Sequence, residues 1–241
     1  MIERAASLND EMMEILYEDN HIIAVNKTCN EIVQGDKTGD TPLSEMVKAY
    51  IKDKYQKPGE VFLGVTHRLD RPTTGVVLFA RTSKALTRLN AMFQSHELIR
   101  KTYWAIVEKN DRLLGDEAIR LEHYLWRNEK QNKSFVVKAG TKDAKRAVLT
   151  YKAIAQSDRY TLLEINLETG RHHQIRCQLA AIGLPIKGDL KYGAKRSNPD
   201  GGISLHARKI EFVHPVSKLP ISITAPVPND ALWQVLEQSV K

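Results

Sequence analysis

Between Ile99 and Leu167 the chain carries one strand-like segment after another with no helical pattern among them, and this run sets the fold class. The clearest is IRKTYWAIVE, residues 99–108, where Tyr103, Ala105 and Val107 alternate with Trp104 and Ile106, so that each set faces one side of a sheet. Further strands are predicted at 118–126, 134–138, 146–155 and 160–167, where β-branched and aromatic residues are dense and breakers scarce. Successive strands without regular βαβ alternation predict an α+β protein on a large, mainly antiparallel sheet.

The flanking segments supply the helices and the remaining strands. EILYEDNHIIAVNK, residues 14–27, reads as a hairpin turning at Asp19-Asn20. Thr41 and Pro42 read as the cap and first residue of a helix striped by Leu43, Met46, Val47, Tyr50 and Ile51, ending before Lys57-Pro58-Gly59. Residues 61–65 and 76–80 read as short buried strands, and Ser83 as the cap of a helix striped by Leu86, Leu89, Met92 and Phe93. A helix from about Arg171 turns Ile175, Leu179 and Ile182 inward and stops at Gly183, with Pro185 beyond. Strands at 204–213 and 220–225 and a helix at 230–238 complete the chain. With no repeat, low-complexity tract or long linker, residues 14–241 are expected to form one domain behind a polar lead, 1–13.

The 42% hydrophobic content of 241 residues is enough for a substantial core. No apolar run approaches the roughly 18 residues that cross a bilayer, and the first twenty residues are polar and acidic, so a cytoplasmic location is expected. Cys29 and Cys177 show no ligand spacing, which points away from a disulfide framework or a zinc site. The net charge of +7 favours a polyanionic partner. Within 127–152, Arg127, Lys130, Lys133, Lys138, Lys142, Lys145, Arg146 and Lys152 face only Glu129 and Asp143, a pattern that suits a solvated face and a phosphate-contacting face equally.

Three stretches put reactive side chains next to strand or helix ends: HRLDRPTTG from His67, RKTYWAIV from Arg100, and ETGRHHQIRCQLAAIGLPIKGDLKYG from Glu168. Each has an ordinary reading. An aspartate flanked by Arg68 and Arg71 is more often an ion-pair partner than a nucleophile, and an alternating Tyr103 is usually core. His172 and His173 are usually surface residues, and as sequence neighbours they are expected to point apart and make a poor metal pair.

Taken together, the stretches resemble the RluA-type pseudouridine synthases over nearly the whole chain. The family's HRLD followed by two residues and TSG is matched by His67-Arg68-Leu69-Asp70 and Thr73-Thr74-Gly75. Its Lys-x-Tyr-x-Ala-x-Val strand is matched by Lys101, Tyr103, Ala105 and Val107. Its Thr-Gly-Arg-x-His-Gln-Ile-Arg and later Gly-x-Pro-Ile-x-Gly-Asp-x-x-Tyr-Gly are matched from Thr169 to Arg176 and from Gly183 to Gly193, and its Leu-His-Ala and His-Pro by Leu205-His206-Ala207 and His214-Pro215. Departures are Thr74 for the usual Ser, Lys109 where a Gly often ends the tyrosine strand, Gln178 where a His often follows the arginine, and NKTCN, 26–30, without the expected Pro and Gly.

The resemblance implies the pseudouridine synthase fold, a mixed, mainly antiparallel sheet with flanking helices and a central active-site cleft. It implies an enzyme that isomerises uridine in structured RNA, large-subunit ribosomal RNA, transfer RNA or both, without cofactor or metal. Asp70 would be the nucleophile, attacking the anomeric carbon or the uracil ring or opening a glycal route. Arg176 would pair with it through a planar guanidinium, and Tyr103 would stack on the base and offer a hydroxyl as a late general base. The target uridine must leave its stack, so Arg68 would fill the gap and Leu205 form the floor. His67, Arg71, Lys101, Arg171, His172 and His173 would serve RNA contacts, mostly to phosphates. The resemblance starts near Ile15, which suggests a short form without a separate N-terminal RNA-binding domain, working as a monomer.

Two other readings compete. A non-catalytic RNA-binding protein of the same fold is opposed by the intact Asp70, Tyr103 and Arg176. A carboxylate-based glycoside hydrolase would use Asp70 and Glu168 as its acid pair.

Overall fold

The computed structural model describes residues 13–95, 98–110 and 117–240; residues 1–12 of the polar lead lie outside them. Among the described residues, eleven strands form one sheet. In chain order they are β1 (Glu14–Glu18), β2 (Ile22–Lys27), β3 (Gly64–Val65), β4 (Thr74–Ala80), β5 (Ile99–Glu108), β6 (Ile119–Asn128), β7 (Lys133–Val137), β8 (Lys145–Gln156), β9 (Tyr160–Leu167), β10 (Leu205–Val213) and β11 (Pro220–Thr224). Across the sheet they run β1-β2-β4-β10-β5-β9-β8-β6-β7, with β3 on β4 and β11 on β10. Every pairing is antiparallel except β10 with β4.

Among the described residues, four α-helices cover the two faces: α1 (Leu43–Lys54), α2 (Ser83–Ser95), α3 (Gln174–Ala181) and α4 (Ala231–Gln238). On one face Leu43, Val47 and Ile51 of α1 and Ile175 and Leu179 of α3 join Val77, Phe79, Tyr103 and Ala105 in the largest core. On the other, Ala85, Leu89 and Met92 of α2 meet Val76 and Leu78, while Trp233 and Leu236 of α4 meet Trp104 and Ile106. Strands covered on both faces have no polar side, which is why β4 reads as an unbroken apolar run.

Several helix ends differ from expectation because other groups take over the capping. Pro42 is extended and lies outside α1, whose first amides, Leu43 N and Ser44 N, donate to the carbonyls of Ile32 and Val33. Thr82, not Ser83, caps α2, its hydroxyl accepting from Ala85 N. The strand expected over 61–65 is reduced to Gly64–Val65.

The parallel pairing of β10 with β4 aligns His206 with Thr74 and Ala207 with Gly75 at the point where β4 leaves the Asp70 loop. Gly75 has φ +111°, and a Cβ there would lie 2.3 Å from the Ala207 carbonyl oxygen. Only glycine permits this approach.

Candidate active site

A cleft of about 930 Å³ opens where the β3–β4 loop, β5 and the start of α3 converge. Asp70 sits on the loop, its side chain 28% exposed. Its main chain is tied down from behind. Thr73 N donates to Asp70 O at 3.0 Å, and Ile203 N to Pro72 O at 3.0 Å. Lys27, at the end of β2 and fully buried, donates from Nζ to the carbonyls of Thr28, Arg71 and Thr73 at 2.9, 2.9 and 2.7 Å. Burial, only partly offset by nearby carboxylates, pulls its ammonium down to about 8. Asn30 takes φ +70°, filling with a residue tolerant of the left-handed region the place where a glycine was expected.

Arg176 of α3, 5% exposed, points its Nη1 at Asp70 Oδ2, 3.0 Å away. Its Nε and Nη2 donate to the two oxygens of Asp189 at 2.7 and 2.8 Å. Burial opposes the guanidinium charge, but the Asp189 hydrogen bonds and the two carboxylate charges outweigh it and push the Arg176 pKa upward. One arginine therefore serves two carboxylates, one sealed at 1% exposure and one at the cleft.

Tyr103 of β5 and Leu205 of β10 are buried and line the same cleft. Burial foremost, then the Asp70 charge, raises the Tyr103 pKa, so the phenol stays protonated at neutral pH. Lys101, one alternation back on the same strand face, lies 5.8 Å over the Phe93 ring, and burial lowers its pKa. Arg68 is exposed, lines the cleft and, among the described residues, makes no ion pair or hydrogen bond.

Other residues depart from their expected roles. Arg71 does not stand free for a phosphate: its Nη2 meets Asp40 Oδ2 at 2.7 Å and Thr38 Oγ1 at 2.9 Å, with Asp36 at 3.8 Å, so it latches the loop before α1. His67 lines the cleft but is engaged within the fold: its Nε2 accepts from Leu78 N at 3.0 Å, its ring stacks on Phe93 at 4.7 Å, and burial with the Lys101 charge holds it neutral, down to about 3.

The two adjacent histidines do not point apart. His173 adopts φ +52°, and the backbone reversal stacks its ring on that of His172 at 3.8 Å. His173 is 8% exposed and lies inside the site rather than at a phosphate contact: its Nε2 is 3.5 Å from Asp70 Oδ2 and its Nδ1 3.0 Å from the Tyr192 hydroxyl. Burial first, then the Arg176 cation, lowers its pKa to about 2, so the contact with Asp70 involves a neutral imidazole. His172 hydrogen-bonds Ser134 and Asn132, and burial and Arg127 lower its pKa. The same reversal moves the start of α3 to Gln174, whose Oε1 accepts from Arg171 N and Thr169 Oγ1.

Glu168 does not join Asp70. It is exposed, paired with Arg120 at 3.4 Å and absent from the cleft wall, which removes the carboxylate pair a glycoside hydrolase needs. Gln178 is fully buried, donating to the Ala147 carbonyl. Of the basic stretch, Arg127 reaches the cleft together with Lys191, while Arg146 is held by Glu122 and Lys152 by Glu164. Among the described residues no group of three His, Cys, Asp or Glu could hold a metal ion, and no helix is long and apolar enough to cross a membrane.

Lys27, Asp189 and Tyr192 carry the site from behind; Asp189 and Tyr192 fall in the matched Gly-Asp-x-x-Tyr-Gly run, but the sequence assigns none of the three a role. The available signal was a lysine at a strand end and the paired Asp189 and Tyr192 between Gly188 and Gly193.

The chain is similar to known proteins over most of its length. The family model for RNA pseudouridylate synthase matches residues 21–181. The chain is 34% identical over 240 residues to ribosomal large subunit pseudouridine synthase D of Xylella fastidiosa, covering 94% of this chain and 69% of that one. It is 33% identical over 243 residues to tRNA pseudouridine synthase C of Vibrio cholerae, covering 93% and 94%. Among solved structures it is similar to Human RNA Pseudouridylate Synthase Domain Containing 4, with a TM-score of 0.75, 21% identity and coverage of 92% and 91%, which supports the shared fold.

Proposed function

The chain belongs to the RNA pseudouridylate synthase family and is an RNA pseudouridine synthase, and from that premise we propose that Asp70 is its nucleophile and structured RNA its substrate. The observation that carries the assignment is the contact between Arg176 and Asp70 in a cleft whose lining includes Tyr103 and Leu205. The guanidinium favours an ionised carboxylate beside an apolar ring, where enclosure alone would favour the neutral acid. Isomerisation moves the ribose bond from a ring nitrogen to a ring carbon of the same base, so no redox partner is required, and this reading includes no cofactor or metal.

Tyr103 supplies a flat face for the extruded uracil, with a protonated hydroxyl close to the reacting atoms. Leu205 lies beneath, and the unpaired Arg68 is placed to occupy the gap the base leaves. Lys101, Arg171 and His172, with Arg127 and Lys191 on the same wall, hold phosphates, giving affinity and register. Relatives named for large-subunit ribosomal RNA and for transfer RNA support one or both as the substrate class. In the same reading residues 14–241 act as one catalytic unit, as a cytoplasmic monomer.

The test is release of tritium from RNA labelled at uracil position five, with wild type and Asp70→Asn. Release by wild type alone supports the assignment. Binding without release by either protein would establish the non-catalytic alternative instead.

A further inference from the structure

Tyr192 Oη has three partners and one proton. Ser134 N donates to it at 2.8 Å, which leaves the hydroxyl proton for either the Ser134 carbonyl at 3.2 Å or His173 Nδ1 at 3.0 Å. The Ser134 carbonyl already accepts from Cys177 Sγ at 3.3 Å, a thiol that burial pushes up to about 11 and so keeps protonated. The alternative proton placement would put a hydrogen on His173 Nδ1 and turn the bare Nε2 lone pair toward a carboxylate oxygen, two acceptors facing each other. With the Tyr192 hydroxyl donating to a bare Nδ1, the hydrogen of the neutral ring sits on Nε2, which faces Asp70 Oδ2, 3.5 Å away.

Arg176 donates to that same oxygen. Among the described residues, nothing donates to Asp70 Oδ1. The two oxygens of the carboxylate are thus made unequal by α3. The left-handed backbone of His173, uncommon for a residue with a side chain, is what brings its ring to this place.

We propose that Tyr192 locks His173 as the Nε2–H tautomer, and that His173 acts as a positioning residue which, with Arg176, pins Asp70 Oδ2 and leaves Oδ1 as the oxygen presented to the substrate. The kinetic part rests on Asp70 being the reactive group; the tautomer does not. Held on one oxygen only, the carboxylate keeps its orientation while the other oxygen remains available in whichever direction the reaction uses it.

Two measurements test this. Long-range 1H–15N correlation on protein labelled with 15N-histidine, the His173 signals being those lost in His173→Gln, should show a protonated Nε2 and a bare Nδ1. An Nδ1–H form or an imidazolium overturns the proposal without reference to activity. In single-turnover assays at saturating RNA, His173→Leu should slow isomerisation between about ten- and a hundred-fold with RNA Kd unchanged. His173→Gln, whose amide can place an N–H near the Nε2 position, should recover most of the loss. Weaker Kd with an unchanged rate would make His173 a phosphate contact and overturn the positioning role. Failure of the wild type itself to release tritium would instead strike the functional assignment, leaving the tautomer to stand or fall on the spectrum.

Discussion

Asp189 grips Arg176 through two hydrogen bonds of 2.7 and 2.8 Å, leaving one guanidinium nitrogen, Nη1, to reach Asp70 at 3.0 Å. The buried carboxylate therefore supports the arginine that faces the cleft. A guanidinium can do both because its donors lie in one rigid plane, whereas a lysine ammonium offers no such fork.

Asp189→Asn keeps the shape and removes the charge. It leaves a buried cation with half its compensation, a change expected to cost about 3 kcal/mol of stability. The loosened guanidinium should also slow turnover by about a hundred-fold. Chemical denaturation and tritium release measure the two. A variant as stable and as fast as wild type would show that Asp70 alone suffices to hold Arg176.

Tyr103→Phe separates the ring from the hydroxyl. The ring packs among Tyr151, Ile165 and the other buried residues of the main core, so folding should be preserved within about 1 kcal/mol. RNA should still bind, and isomerisation should slow by about a hundred-fold if the hydroxyl moves a proton. Because burial and the Asp70 charge raise its pKa, no ionisation of Tyr103 should appear in the wild-type pH–rate profile between 6 and 9. Unchanged turnover would reduce Tyr103 to a stacking surface.

What was legible in the chain divides along the range of the interactions. The bounds of β5 and β9 match their expected residues, since alternation over 8 to 10 positions is a local pattern that the sheet preserves. The start of α3 moved by three residues because a side chain, Gln174, and a left-handed His173 replaced the expected cap. In the site, Asp70, Tyr103 and Arg176 sit in long motifs that are legible along the chain. Their long-range partners carry no such pattern: Lys27 acts on carbonyls 44 and 46 residues away, and Arg71, itself in a motif, is claimed by Asp36 and Asp40 in a loop carrying no pattern of its own.

The fate of Arg71 sets up a contrast within the cleft. Arg127 and Lys191 line it, while Arg71, lining it too, is already paired. Arg127→Ala and Lys191→Ala should each weaken RNA binding and flatten the dependence of log Kd on log salt by about 0.7 to 0.9. Arg71→Ala should leave that slope alone and instead speed amide exchange in residues 36–40, whose latch it removes. A loss of slope in Arg71→Ala equal to the others would return it to the phosphate contacts.

Lys27 offers a test of the loop that carries Asp70. Lys27→Met removes the donor to three carbonyls, one of which, Arg71 O, also accepts from Asn30 N at 3.0 Å. Relief of the buried charge offsets part of the loss, leaving an expected destabilisation of about 2 kcal/mol. The pH dependence carries a definite sign. Burial lowers the folded pKa from 10.5 to about 8, so between those values the unfolded chain binds more protons than the folded one. Stability from this group then rises with pH across that window. The gap between wild type and Lys27→Met, measured by denaturant unfolding, should accordingly be constant below pH 7 and widen from pH 8 to 10. A gap that narrows over that range would mean the buried ammonium is stabilised by its three carbonyls more than burial penalises it.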